Sequence, residues 1–368
     1  VRLLTCFLLA LGLGVQSPAV PQQDLATAGA GSPFYRIPAL TVTTRGTLLA
    51  AYDARPTLKD LPDPISVVLR RSTDGGKTWG PQAVVRAAAA PAGFGDPSFV
   101  VDRTTRRIFL FYSASVRQGF FGSATGVGHD DPEVQQADYS FSDDDGVTWT
   151  HRRITSAIKD PSWAGLFAAS GQGIQLRYGR HAGRLVQQYV VRRGKEMFAA
   201  SAYSDDHGET WRMGQLVGPG ADENKTVELS DGRLMLNSRA KPYRKVAFSS
   251  DGGATWTGWR DEPQLIDPAN NGAIVRAHPE AAAGSPAARE LLFSNTESRD
   301  KRENVVIKRS CDDGATWSSR AVVEPGAASY STIAVLPDGR VGVLYERGTV
   351  SAIVFAVFDP KTLGPCGR

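Results

Sequence analysis

Five aspartates, Asp74, Asp144, Asp206, Asp251 and Asp312, occupy one position of a recurring eight-residue string, Ser-x-Asp-x-Gly-x-Thr-Trp. Carboxylates that recur beside acidic neighbours are the residue types of general acid/base catalysis or of calcium loops. Repetition decides against both, because an active site needs its carboxylates once and a turn needs the same chemistry in every repeat. In a turn, Asp accepts bonds from N–H groups, Gly supplies a position with φ > 0, and Trp buries a large ring against a neighbouring sheet. Metal chemistry has little to work with. The chain holds five His and no His-x-x-His or Glu-x-x-His arrangement, so no transition-metal site and no cofactor are expected.

The strings define the elements that must position any site. They read STDGGKTW (72–79), SDDDGVTW (142–149), SDDHGETW (204–211), SSDGGATW (249–256) and SCDDGATW (310–317). Each follows an apolar or alternating run, ISVVLRR, QADYSF, MFAASAY, KVAF or NVVIK, that reads as a strand. A second series, TRGTLL, HAGRLV, SDGRLML and PDGRVGVLY, places a Gly turn before a further strand. Two hairpins per unit make a four-stranded antiparallel blade. The expected fold is all-β, a six-bladed β-propeller over residues 34–368.

The opening VRLLTCFLLALGLGVQSPA has one Arg, an apolar stretch, then small residues and Pro. It reads as a signal peptide over 1–19, too short to span a membrane, followed by a lead-in over 20–33, so a secreted protein without membrane insertion is expected. Its removal takes away Cys6 and leaves Cys311 with Cys366, an even pair that reads as a disulfide in an exported protein. The net charge of +4 suits an anionic substrate without requiring one. No basic run interleaved with aromatics points to nucleic acid, and a monomer is expected.

One short segment is more specific. Phe34-Tyr35-Arg36-Ile37-Pro38, one strand before the first string, resembles the Arg-Ile-Pro motif of bacterial exo-α-sialidases. The resemblance extends over essentially the whole mature chain, through YDARPTLKD, GFGDPS, DENKTVELSDGRLMLNSR, SYSTI and LYE. It implies that sialylated glycans are the substrates. Sialic acid carries a carboxylate on its anomeric carbon, and guanidinium offers planar, permanently charged donors for it.

By that resemblance the clamp is Arg36, Arg239 in LNSR and Arg302 in DKREN, with Glu346 in VLYERG holding Arg36. The acid/base position is Asp60, five residues after Arg55, although Asp53 and Asp63 lie close enough that pattern alone does not choose. Sialidases are an exception among glycosidases in using a Tyr nucleophile. A charged carboxylate would be repelled by the substrate's own, whereas a neutral phenol is not. The matching nucleophile is Tyr330 in AASYSTI and its base Glu223, with Glu228 as competitor. Glu223 is favoured because the family's Glu lies sixteen residues before the second clamp Arg. Asp96 in GFGDPS resembles the Asp that faces the N-acyl side of the sugar, Arg55 a contact near the acid loop, and Phe120 and Phe121 candidate walls of an acyl pocket.

Three rivals share parts of this pattern. A trans-sialidase would carry the same residues and differ in acceptor-site aromatics. A sialic-acid-binding lectin would keep the arginines but lose Asp60 or Tyr330, and both are present. A propeller glycosidase for neutral polysaccharide would keep the strings without an arginine clamp.

Overall fold

Apolar runs broken by Gly turns fold here as antiparallel hairpins, and the structure, a computed structural model, describes residues 20–366. The expected signal peptide and Cys6 lie outside them. Four-stranded sheets are formed by Phe34–Val42, Leu48–Arg55, Ser66–Ser72 and Ala83–Arg86, and by Asn224–Glu228, Leu234–Ser238, Tyr243–Ser249 and Thr257–Ile266. Two five-stranded sheets are built around Gly93–Val101 with Ile108–Ser115 and around Leu185–Arg193 with Glu196–Ser204. The central strands are buried on both faces: every residue of Ile108–Ser115 is covered, which is why such strands read as continuous apolar runs.

The all-β class holds, but the six separate four-stranded blades do not. The described strands form five sheets, of seven, five, five, four and four strands. The cause is Ser319–Val335, a 17-residue strand whose first half pairs with Glu303–Ser310 and whose second half pairs with Val341–Arg347. With no loop between the two halves, hairpins expected to be separate run on as one seven-stranded sheet. Within the stretch expected as a lead-in, Gln22–Thr27 is a strand that covers the edge of Ala352–Phe358 in that same sheet.

The five strings form one hydrogen-bonded turn. In the third, Ser204 Oγ donates to Asp206 Oδ1 at 2.8 Å, and Asp206 accepts from the Thr210 N–H at 2.9 Å and from the Thr210 hydroxyl. Two consecutive residues have positive φ, His207 at 60° and Gly208 at 86°. A Cβ on Gly208 would lie 2.2 Å from the Phe109 ring, so this glycine serves both conformation and close approach. The first of the pair also reaches the preceding sheet: Asp145 accepts from Thr47, His207 pairs with Asp102, and Asp313 accepts from Ser230. Trp211 completes this contact by packing edge-on to Phe111 at 5.0 Å. Asp206→Ala should therefore lower stability by about 1–2 kcal/mol in denaturant melts, with turnover of the folded fraction nearly unchanged. Loss of catalysis in a protein of undiminished stability would contradict a purely structural turn.

Cys311, in the last string, is bonded to Cys366, with Cα atoms 5.7 Å apart. The bond anchors the C-terminal segment beside the final turn.

Candidate active site

Three strands deliver the site residues through backbone irregularities. In Phe34–Val42 the pairing with Leu48–Arg55 skips between Arg36 and Ala39, and Ile37 sits at φ 59°. A β-branched residue is strained there. The N–H of Ile37, freed from the strand pairing, is taken by Glu346 Oε1 at 2.8 Å. Gly93–Val101 repeats the arrangement, with Asp96 at φ 63° and its N–H donating to Asp53 Oδ1 at 3.2 Å. Each of these residues precedes a proline, which has no N–H to give the ladder. The long strand Ser319–Val335 has its own register shift between Ala328 and Ser331, around Tyr330. Such bulges re-aim side chains, here toward a common cleft.

That cleft, of about 550 Å³, is lined by Arg36, Asp60, Asp96, Glu223, Arg239, Arg302 and Tyr330 together with aromatic residues. Tyr330 is 6% exposed. Arg239 donates to its hydroxyl at 2.9 Å, and the guanidinium carbons of Arg36 and Arg302 stand 5.1 and 5.5 Å from its ring centre. Three positive groups thus converge on one phenol, an arrangement suited to an anionic ligand.

Each arginine is braced differently. Arg36 Nε lies 3.3 Å from the fully buried Glu346. Arg239 binds Glu223 Oε2 at 2.7 Å and approaches Asp222 at 3.4 Å. Arg302 is exposed, and among the described residues its guanidinium donates to Ser329 Oγ and the Ala269 carbonyl, at 3.4 and 3.3 Å. Burial opposes the charge on Arg36, but Glu346, Tyr330 and Asp60 outweigh it and raise its pKa.

Glu223 and Tyr330 form the candidate base and nucleophile. Burial opposes a charge on Glu223, yet Arg239, Lys225 and Tyr330 outweigh it and hold the carboxyl below its ordinary range. Burial first, then the adjacent Glu223 charge, push the Tyr330 phenol well above its usual range, while Arg239 and Arg36 pull it back. The pair is therefore an ionised carboxylate beside a neutral phenol, the protonation states a base-activated nucleophile requires.

Asp60 lies on the loop after Leu48–Arg55, with its side chain 80% exposed. Its Oδ1 accepts from Arg55 Nη1 at 2.7 Å and lies 3.9 Å from Arg36. Asp53, one of its rivals, is fully buried behind Arg55, which it holds at 2.7 and 3.1 Å, and burial raises its pKa to about 6. Asp63 accepts from Thr57 outside the cleft. Glu228 is also set apart: it accepts the N–H groups of Arg177 and Tyr178 and pairs with Arg276. Five extended residues separate it from Glu223, about 16 Å along the strand.

Known proteins resemble this chain over most of its length. Residues 46–343 match a profile described as a BNR repeat-like domain. A sialidase from Micromonospora viridifaciens is 54% identical over 356 residues, covering 94% of this chain and 55% of the relative. A sialidase from Bacteroides fragilis is 32% identical over 345 residues, covering 89% and 62%. A solved Hadza microbial sialidase superposes with a TM-score of 0.85 at 31% identity, covering 93% of this chain and 69% of that one. The chain belongs to the BNR-repeat sialidase family. It spans between half and two thirds of the length of the two curated relatives.

Several cleft residues of this sialidase-family chain escaped the sequence reading. Asp222 stands beside Glu223 in ADENK, but nothing in that string separates a brace for Arg239 from a loop carboxylate. Phe167 and Met197 line the cleft with Phe120 and Phe121, and Phe167 meets Phe120 edge-on at 4.8 Å. Met197 lies in the MFAASAY run, read only as a strand, and Phe167 in a segment without any sequence signal, so only the fold exposes them to a ligand. Ser170, which donates to Glu223 Oε1 at 3.3 Å, lies in an unremarked Ala-Ala-Ser-Gly run.

Replacing Arg36 with Lys keeps the charge but loses the planar fork held by Glu346 and stacked on Tyr330. Sialoside turnover is expected to fall by at least about tenfold. Steady-state kinetics matching wild type would remove Arg36 from the site.

Proposed function

We propose that this chain is an exo-α-sialidase that hydrolyses terminal α-linked sialic acids from glycoconjugates with retention of configuration. The observation that carries this reading is the convergence of Arg36, Arg239 and Arg302 on a buried Tyr330 whose neighbour Glu223 is held ionised. In this reading the arginines hold the substrate carboxylate and Glu346 keeps Arg36 in place. Tyr330 attacks the anomeric carbon as Glu223 takes its proton, and Asp60 protonates the leaving oxygen. Water then cleaves the tyrosyl–sugar bond, with Asp60 as base. Asp96 borders the sugar, Arg55 stands buried behind the cleft and holds Asp60, and Phe120, Phe121 and Phe167 offer an apolar wall for the sugar's N-acyl group. We further propose that the protein acts outside the cell, as a monomer, on sialylated glycans.

The deciding experiment sets a fluorogenic sialoside beside a fluorogenic neutral glycoside. Cleavage of the sialoside alone supports the reading; cleavage of the neutral substrate alone overturns it. Product analysis by NMR in the presence of lactose separates hydrolysis from transfer to an acceptor sugar.

A further inference from the structure

Glu223 is 2% exposed, and one of its two carboxylate oxygens is held by Arg239. The other is reached by a buried chain of side chains that the proposed reaction does not use. Lys225, two residues along the strand and covered on all sides, donates from Nζ to Asn271 Oδ1 at 3.0 Å. Asn271 Nδ2 donates to Ser170 Oγ at 3.1 Å, and Ser170 Oγ donates to Glu223 Oε1 at 3.3 Å.

While Lys225 is protonated, the direction of the chain is forced. An ammonium can only donate, so Asn271 must present its oxygen to Lys225 and its NH₂ to Ser170, which leaves the Ser170 proton for Glu223. Every donor points at the carboxylate, and each bond polarises the next. The backbone makes room for this lysine: Gly171 has φ 119°, and a Cβ there would come within 2.9 Å of Lys225 Cε.

We propose that Lys225 is a positioning residue, which acts through Asn271 and Ser170 to keep Glu223 ionised and oriented toward Tyr330. Arg239 is the neighbour that makes such a device useful. It binds Glu223 and Tyr330 together, and on arrival of a carboxylate ligand its charge is shared with that ligand, whereas the ammonium of Lys225 lies behind the carboxylate and is not. Asp222 and Arg244 act on both Lys225 and Glu223, and Asp96 acts on Glu223. Burial pushes the Lys225 ammonium down to about 7, so its assistance is present in acid and lost as pH rises through neutrality.

The inference rests on Glu223 being the base, and its test is a kcat–pH profile of wild type, Lys225→Met and Ser170→Ala with an aryl sialoside. Lys225→Met should move the acid limb up by about one pH unit, because Glu223 loses a positive neighbour, and so lower kcat by up to about tenfold at the acid end of the profile. The gap to wild type should narrow above neutrality, where wild type itself loses the ammonium. Ser170→Ala should move the limb the same way by a smaller amount, and it decides the matter if Lys225→Met does not fold. A folded Lys225→Met whose acid limb stays in place, or a loss of melting temperature with an unmoved limb, overturns the proposal. Should wild type cleave no sialoside, the functional reading fails by itself. The carboxyl titration of Glu223 by ¹³C NMR, wild type against Lys225→Met, then decides the inference: a raised midpoint supports it and an unchanged one ends it.

Discussion

Tyr330→Phe should lower turnover of an aryl sialoside by at least about a thousandfold while leaving the fold intact. The substitution removes one oxygen and keeps the ring, so the packing of a residue that is 6% exposed is preserved. What it deletes is the atom that Arg239 contacts at 2.9 Å and that would form the bond to the anomeric carbon. The neutral phenol is a weak nucleophile, and burial, by raising its pKa, keeps it in that form. In the proposed mechanism attack depends on Glu223 accepting the proton as the bond forms, and on Arg239 and Arg36 stabilising the charge that develops on oxygen. Two successive displacements at one carbon release the sugar first as its α anomer, which proton NMR during early turnover detects. A 3-fluorosialyl fluoride should label wild type at Tyr330 and leave the Phe variant unlabelled. Label on Glu223 would mean an ordinary carboxylate glycosidase, and the argument from charge repulsion would be wrong.

Removing the Asp60 carboxyl should separate substrates by leaving group. Sialosides whose aglycone is a sugar alcohol need their leaving oxygen protonated, and Asp60→Ala should slow them by about 10²–10⁴-fold. Aryl sialosides depart as stable phenolates and should lose far less. The geometry supports this role: Asp60 is the exposed member of the Asp53–Arg55–Asp60 series, and Arg55 Nη1 holds its Oδ1 at 2.7 Å. Equal losses on both substrates would point to a displaced loop. Asp53→Asn serves as the comparison, since it loosens Arg55 and the Asp96 backbone together and should slow both substrate classes alike.

Local chemistry made much of this protein legible from its sequence. The Ser-x-Asp-x-Gly-x-Thr-Trp turn is closed by its own residues, so hydrogen bonds spanning four positions can be read without knowing the fold. The Gly turns before strands, the all-β class and the disulfide partners are equally short-range or countable features. Arg36, Asp60, Glu223, Arg239, Arg302 and Tyr330 were assigned by resemblance, and the fold brings all six to one cleft. Tertiary structure decided what depends on which face and which neighbour a residue meets. It set Glu223 apart from Glu228 and Asp60 from Asp53, pairs of identical side chains a few residues apart between which the sequence chose only by resemblance and spacing, with no sign of which faced the cleft. It merged the final hairpins into one seven-stranded sheet, because continuity through Ser319–Val335 depends on partners on both sides of that strand. It also assembled Lys225, Asn271 and Ser170 behind Glu223. Asn271 and Ser170 lie 101 positions apart in the chain, and the direction of their hydrogen bond is set by a charge on a third segment, a relation that has no signature in sequence.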